Sequence, residues 1–305
     1  CIMVSAYGDM GNIRQAMNNG AFDFATKPID LDDLSVTIEK AIEQIEYIKH
    51  SQQEHSQLES LKTDLAVAGE IQQAILPRVF PPFPEIEDIL DVSASMTPAK
   101  DVGGDFYDFF RIDEDRIGFV MADVSGKGVP AAIFMAVSRT LIRAIGMQGN
   151  APDDVMTRAN ELLCKESVNC MFVTVFYAIY NTKTGEISYC NAGHNSPYLL
   201  HANGQVETLP MSTNCMIGAL EGLDFVPGSL TLEKGDMLVM YTDGVNEAVN
   251  NDLEEYSEPR LKQTLEMLQG LNCQETINGI LASVKAFADG APQSDDITLL
   301  SFKRK

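Results

Sequence analysis

Four prolines within eight residues, Pro77, Pro81, Pro82 and Pro84, form a barrier that no helix crosses. Proline lacks the amide hydrogen a helix needs, its ring clashes with the preceding turn, and it biases the residue before it towards extended backbone. The chain therefore has one texture before this cluster and another after it. From about residue 46 to Leu76 there is no proline and polar residues dominate, while Leu58, Leu61, Leu65, Ala68, Ile71 and Ile75 make a sparse stripe at spacings of three and four. That spacing predicts a long exposed helix. Its stripe is as narrow as the seam of a dimerising coiled coil, and a solvated connector is the plainer alternative.

Beyond Pro84 the pattern is rich in strands. RIGFVMAD reads as a buried strand, and Pro130 to Ile145 as a helix with proline in its first turn and Gly146 at its end. MFVTVFYAIY runs through NTKTGE into ISYCNAG as a hairpin, and MLVMYTD and ITLLSF are further strands. Segments 259–268 and 274–288 read as helices. Hairpins outnumber β-α-β crossovers, so the expected class is α+β, with antiparallel sheets flanked by helices. Residues 1–45 differ again. CIMV is a strand, NIRQAMNNGAF is amphipathic, DFAT is a second short strand, and Ile29 to Lys49 carries a helical stripe through Leu34, Ile38, Ala41, Ile42 and Ile45. This is half of an alternating α/β unit, whose strands need sheet partners, and the first residue is Cys1 rather than Met, so the true N-terminus is expected upstream. The expected domains are 1–45, a helical linker at 46–84, and 85–305.

Charge narrows the function. Lys and Arg total 22 against 44 Asp and Glu, a net charge of -22, which disfavours binding to nucleic acid or to an anionic membrane. With 45% hydrophobic residues the chain is not disordered. The longest apolar run, Ala131 to Val137, falls far short of the roughly 18 residues of a membrane span, so no transmembrane helix is expected. Six cysteines without a C-x-x-C pair, and only four histidines, argue against a disulfide scaffold or a zinc site and for a reduced, cytoplasmic setting.

The acids of the third region fall at strand ends. Asp105 follows two glycines in VGGDFYD, Asp123 ends a strand and enters DVSGKG, Asp243 lies in YTDG, and Asp295 and Asp296 open the last strand in SDDIT. Any one of these is ordinary turn chemistry. Four together, on apolar strands, suggest a cation, and carboxylates with a backbone carbonyl suit Mg²⁺ or Mn²⁺. Gly126 and Gly128 would let the backbone approach a metal or phosphate. Two such ions roughly 3.5 to 4 Å apart activate a water for phosphoester hydrolysis. No G-x-x-x-x-G-K-[ST] phosphate loop is present and no Ser/His/Asp set stands out.

GGDFYD, ADVSGKG, NAGHN, YTDGVNE and DDIT, in this order over residues 103–298, resemble the SpoIIE-type branch of the metal-dependent protein phosphatases, relatives of the type 2C enzymes. The resemblance implies an α-β-β-α sandwich carrying two Mn²⁺ or Mg²⁺ ions. It implies that Asp105, Asp123, the Val124 carbonyl, Asp243 and Asp295 are the ligands, with Asp296 as the alternative to Asp295. It further implies a protein-serine/threonine phosphatase acting on a phosphoprotein, an anti-sigma-factor antagonist in bacterial partner switching. The arginine with which type 2C enzymes hold substrate phosphate has no counterpart here.

SAYGD followed by GAFDFATKP resembles the C-terminal half of a two-component receiver domain, a flavodoxin-like α/β fold. Ser5 matches the switch hydroxyl, Phe24 the switch aromatic, and Lys27 the phosphate-contacting lysine before a cis Pro28. The half that would carry the phosphorylated aspartate is not matched. EIQQAILP resembles the linker endings that precede this catalytic branch, and dimerisation through the linker helix is expected. His194 reads as structural, and Phe134 and Met135 as core. Two rivals remain: a non-catalytic interaction module of the same fold, and a nucleotide cyclase, for which GGDFYD is a poor GGDEF and which leaves the TDG and DDIT motifs unused.

Overall fold

The computed structural model describes residues 1–305 except Tyr7, Asp9, Pro81 and residues 167–169, so parts of SAYGD and of the proline cluster lie outside the described residues. The chain forms two compact units, Cys1–Asp64 and Leu65–Lys305.

In the first unit β1 (Ile2–Ser5), α1 (Met10–Asn18) and β2 (Asp23–Thr26) precede α2 (Leu31–Ile75). Strands β1 and β2 pair in parallel, with Ser5 opposite Thr26, and the Lys27 amide donates to the Ser5 carbonyl. The Lys27–Pro28 bond is cis, as expected. The two helical stretches read from the sequence merge into the single α2. In the first unit its Ile42, Ile45, Ile48, Leu58 and Leu61 are exposed.

The second unit is built from β3 (Leu90–Thr97), β4 (Phe106–Arg111), β5 (Arg116–Val124), α3 (Val129–Gly146), α4 (Pro152–Glu166), β6 (Val173–Asn181), β7 (Glu186–Ala192), β8 (Tyr198–Leu200), β9 (Val206–Thr208), β10 (Gly228–Thr231), β11 (Met237–Tyr241), α5 (Asp243–Asn246), α6 (Ser257–Met267), α7 (Cys273–Ala288) and β12 (Ile297–Arg304). They make two five-stranded antiparallel sheets, ordered β10-β7-β6-β5-β4 and β3-β12-β11-β8-β9. Helices α3 and α4 cover the first sheet; α6 and α7 cover the second. The result is the expected four-layer α-β-β-α sandwich.

Alternation along the strands divides the core. On β11, Leu238 and Met240 join the cluster that includes both sheets, while Met237, Val239 and Tyr241 join the one beneath α6 and α7. Phe119 of the first sheet stacks on Phe302 of the second with ring centroids 4.1 Å apart. Gly146 lets α3 close on the first sheet, since a Cβ there would meet Tyr177 and Phe110. Helix α3 has the length and apolarity of a membrane-crossing segment, but its Ala131, Phe134, Met135, Ile142 and Ile145 are buried in this core, where Phe134 and Met135 were expected. Helix α4 was not anticipated, although Pro152 at its start and Asp153 and Asp154 in its first turn are a standard entry signal.

Candidate functional site

The acids cluster at one end of the sandwich because four chain segments end there. Asp105 immediately precedes β4, Asp123 is the penultimate residue of β5, Asp243 opens α5 two residues past the end of β11, and Asp295 lies just ahead of β12. The first two belong to one sheet and the last two to the other.

Asp105 is 2% exposed and is gripped from the opposite sheet. Its Oδ2 accepts hydrogen bonds from the Oγ1 atoms of Thr242 and Thr298, both at 2.6 Å. Burial, then repulsion from Asp123, holds its carboxyl well above the usual range despite those bonds. Asp123 is pushed up to about 7, chiefly by burial and then by Asp243, while a hydrogen bond shared with Asp105 opposes the rise. The Val124 carbonyl lies against Gly104, where a Cβ would approach it to 2.9 Å, so the GG turn and the end of β5 are in contact. Asp243 is raised by burial and then by Asp295. Gly244 lets α5 rest on the backbone of Asp295 and Asp296, where a side chain would collide.

The two acids of DDIT differ in what they touch. Asp296 is 7% exposed and accepts from the Ala99 amide through Oδ1 at 2.8 Å and from the Gly104 and Asp105 amides through Oδ2 at 2.7 and 3.4 Å. Its oxygens are spent on holding the GG turn. Asp295 is more open, and its Oδ2 is 2.7 Å from Lys127 Nζ. The hydrogen bond to Asp295 raises the Lys127 pKa.

These carboxylates repel one another and are stabilised by hydroxyls, a shared proton and an ammonium. Among the described residues no three His, Cys, Asp or Glu side chains are drawn into a ready metal-ligand group. The donor chemistry nevertheless fits a hard divalent cation: the set is carboxylate oxygen with a nearby backbone carbonyl, and burial with mutual repulsion raises Asp105, Asp123 and Asp243 above their usual range.

Sequence reasoning missed several supporting residues. Thr242 and Thr298 occur in the quoted motifs YTDGVNE and DDIT, but a threonine beside an acid carries no special signal. Gln72 of α2 is buried, and its carboxamide bonds reciprocally with Gly103, Nε2 to the carbonyl at 2.5 Å and Oε1 from the amide at 3.0 Å. Asp108, the last residue of GGDFYD, pairs with Arg139 and Arg143 of α3 and lies away from the rim. His194 is buried, with Nδ1 2.9 Å from Thr174 Oγ1 and Nε2 3.1 Å from the Tyr241 carbonyl, which is the structural role expected of it.

Comparisons with known proteins agree with this architecture. Residues 113–305 match the family model described as Stage II sporulation protein E (SpoIIE). The phosphoserine phosphatase RsbU of Bacillus subtilis (strain 168) is 30% identical over 259 residues, covering 83% of this chain and 75% of RsbU. Protein IcfG of Synechocystis sp. is also 30% identical, over 80% of this chain and 42% of its own length. Among solved structures, the SiaA-PP2C domain of Pseudomonas aeruginosa superimposes with a TM-score of 0.69 at 22% identity, over 80% of this chain and 97% of that one, which supports the fold. With its sandwich, its ordered acidic motifs and a family match over more than half its length, the chain belongs to the SpoIIE family of phosphatase domains.

Proposed function

We propose that this chain is a metal-dependent protein-serine/threonine phosphatase that works in bacterial partner switching. One observation carries this: four carboxylates from both sheets, Asp105, Asp123, Asp243 and Asp295, meet at one rim, where burial and then repulsion from neighbouring acids raise the carboxyls of Asp105, Asp123 and Asp243. The phosphoserine phosphatase named among its relatives supports the same activity. Asp105, Asp123, the Val124 carbonyl, Asp243 and Asp295 would hold two Mg²⁺ or Mn²⁺ ions. Bound there, the ions supply a water of lowered pKa and neutralise charge on the phosphoryl group. The chain's own residues supply the frame. Thr242 and Thr298 fix Asp105, Asp296 fixes the turn that presents it, and Asp123 carries a carboxyl that exchanges its proton near neutral pH in the metal-free chain. Asp295 is favoured over Asp296 as ligand because the buried Asp296 is engaged by three backbone amides, whereas the more open Asp295 accepts from one amide and from the exposed Lys127.

The substrate of this reading is a phosphorylated anti-sigma-factor antagonist. Residues 1–45 are taken as the C-terminal part of a response-regulator receiver, supported by the parallel β1–β2 pair and by the Lys27 amide bonded to the Ser5 carbonyl. Residues 46–84 are taken as a linker that dimerises through its leucine stripe, and 85–305 as the catalytic domain. The test is hydrolysis of p-nitrophenyl phosphate by the full chain. Activity should vanish in EDTA and return with Mn²⁺; hydrolysis that persists in EDTA would remove the metal assignment.

A further inference from the structure

A rim of carboxylates that must receive a phosphate dianion needs cationic help from the protein as well as from metals. The two arginines of α3 closest in sequence, Arg139 and Arg143, are both committed to the buried Asp108. Lys127 is placed differently. It stands in the DVSGKG turn between Asp123 and α3, with its Nζ 2.7 Å from Asp295 Oδ2 and donating to the Ser294 carbonyl at 2.8 Å. Asp296 and Asp243 add to the effect of Asp295 in raising the pKa of the Lys127 ammonium. Its side chain is 48% exposed. Gly126 and Gly128 on either side have φ of +90° and +76°, and nothing lies within 4 Å of where a Cβ on either would sit. The lysine thus rides on an open turn, on a flexible four-carbon stem.

The Asp295 oxygen that holds this ammonium is one that a divalent ion would also draw on, and the two cations repel. A lysine released from Asp295 would be free to meet an anion arriving at the rim, and a phosphoester substrate brings one. We propose that Lys127 is a phosphate-contacting residue that exchanges Asp295 for the substrate or product phosphate when the acidic centre is loaded. This rests on the phosphatase reading above and adds the group that holds the phosphate in the absence of a type 2C-like arginine.

The test uses the full chain, Lys127→Gln and Lys127→Arg, with calorimetric titration of MnCl₂ alone and then of inorganic phosphate into the Mn²⁺-loaded protein. Lys127→Gln should weaken phosphate binding about tenfold, leave Mn²⁺ affinity unchanged or tighter because a competing cation is gone, and Lys127→Arg should restore phosphate binding to within about threefold. Unchanged phosphate affinity in Lys127→Gln overturns the proposal, and so does loss of Mn²⁺ binding in that variant, which would make the lysine a support for the turn. Lysine-dependent phosphate binding by a protein that releases no phosphate from phosphoserine would uphold the contact and refute the phosphatase reading instead.

Discussion

The imidazole of His194 donates from Nε2 to the carbonyl oxygen of Tyr241, 3.1 Å away, and accepts through Nδ1 from Thr174, 2.9 Å away. Thr174 lies opposite Asp123 in the β5–β6 ladder, and Tyr241 is two residues before Asp243. One buried ring therefore ties the strand pair carrying Asp123 to the strand leading to Asp243. A carbonyl partner fixes the tautomer, and burial pushes the ring's pKa down to about 4 from its ordinary 6.5.

Removing the ring should loosen both sheets at the rim. His194→Ala is expected to cost about 3 kcal/mol in urea unfolding, from two lost hydrogen bonds and a cavity. The native protein takes up the His194 proton only at lower pH than the unfolded chain, so its contribution is complete above pH 6.5 and lost as pH falls through about 4. The gap between the native protein and the variant should narrow over that window.

Asp123 works in the opposite direction. Its carboxyl is held near 7 against an ordinary 3.8, so in the metal-free protein its ionisation destabilises the fold as pH rises between those values. In EDTA at pH 8, Asp123→Asn should therefore melt several degrees higher than the native chain, an effect that shrinks towards pH 4. With Mn²⁺ the same variant should lose activity by at least about a hundredfold. A lower melting temperature in EDTA would show that repulsion does not dominate the metal-free site.

Asp295 and Asp296 separate by what they are bonded to. Asp296→Asn replaces an acceptor for three amides and should cost about 2 kcal/mol in denaturant unfolding. Asp295→Asn loses a surface ion pair with Lys127 and keeps an oxygen that can accept from the Asp296 amide, so it should leave stability within about 0.5 kcal/mol while abolishing metal-dependent turnover. The reverse pattern would exchange the two roles.

The legible part of this molecule was the part with period and punctuation. Alternating strands, the NTKTGE hairpin and Pro130 at the head of α3 announced the sandwich, and acids at strand ends announced the rim. The pairing that joins the two sheets could not be read. Thr242 and Thr298 meet Asp105 across 137 and 193 residues of sequence, and Gln72 meets Gly103 from a helix whose stripe gave no reason to prefer it over its neighbours. Such contacts depend on how layers close, which local pattern does not encode.

The linker can be tested by its stripe. Leu58 and Leu61 are exposed in the single chain. If the chain dimerises through this stripe as proposed, Leu61→Asp with Leu65→Asp should give a monomer by light scattering and change basal hydrolysis less than it changes regulation. A dimer that survives both charges has its interface elsewhere.

The most direct test is phosphate release from a phosphoserine-bearing anti-sigma-factor antagonist by the full chain with Mn²⁺, beside Asp123→Asn under the same conditions. The expected result is release by the native chain and at least about a hundredfold less by the variant. Equal release by both, or none by a native chain that binds Mn²⁺, would contradict it.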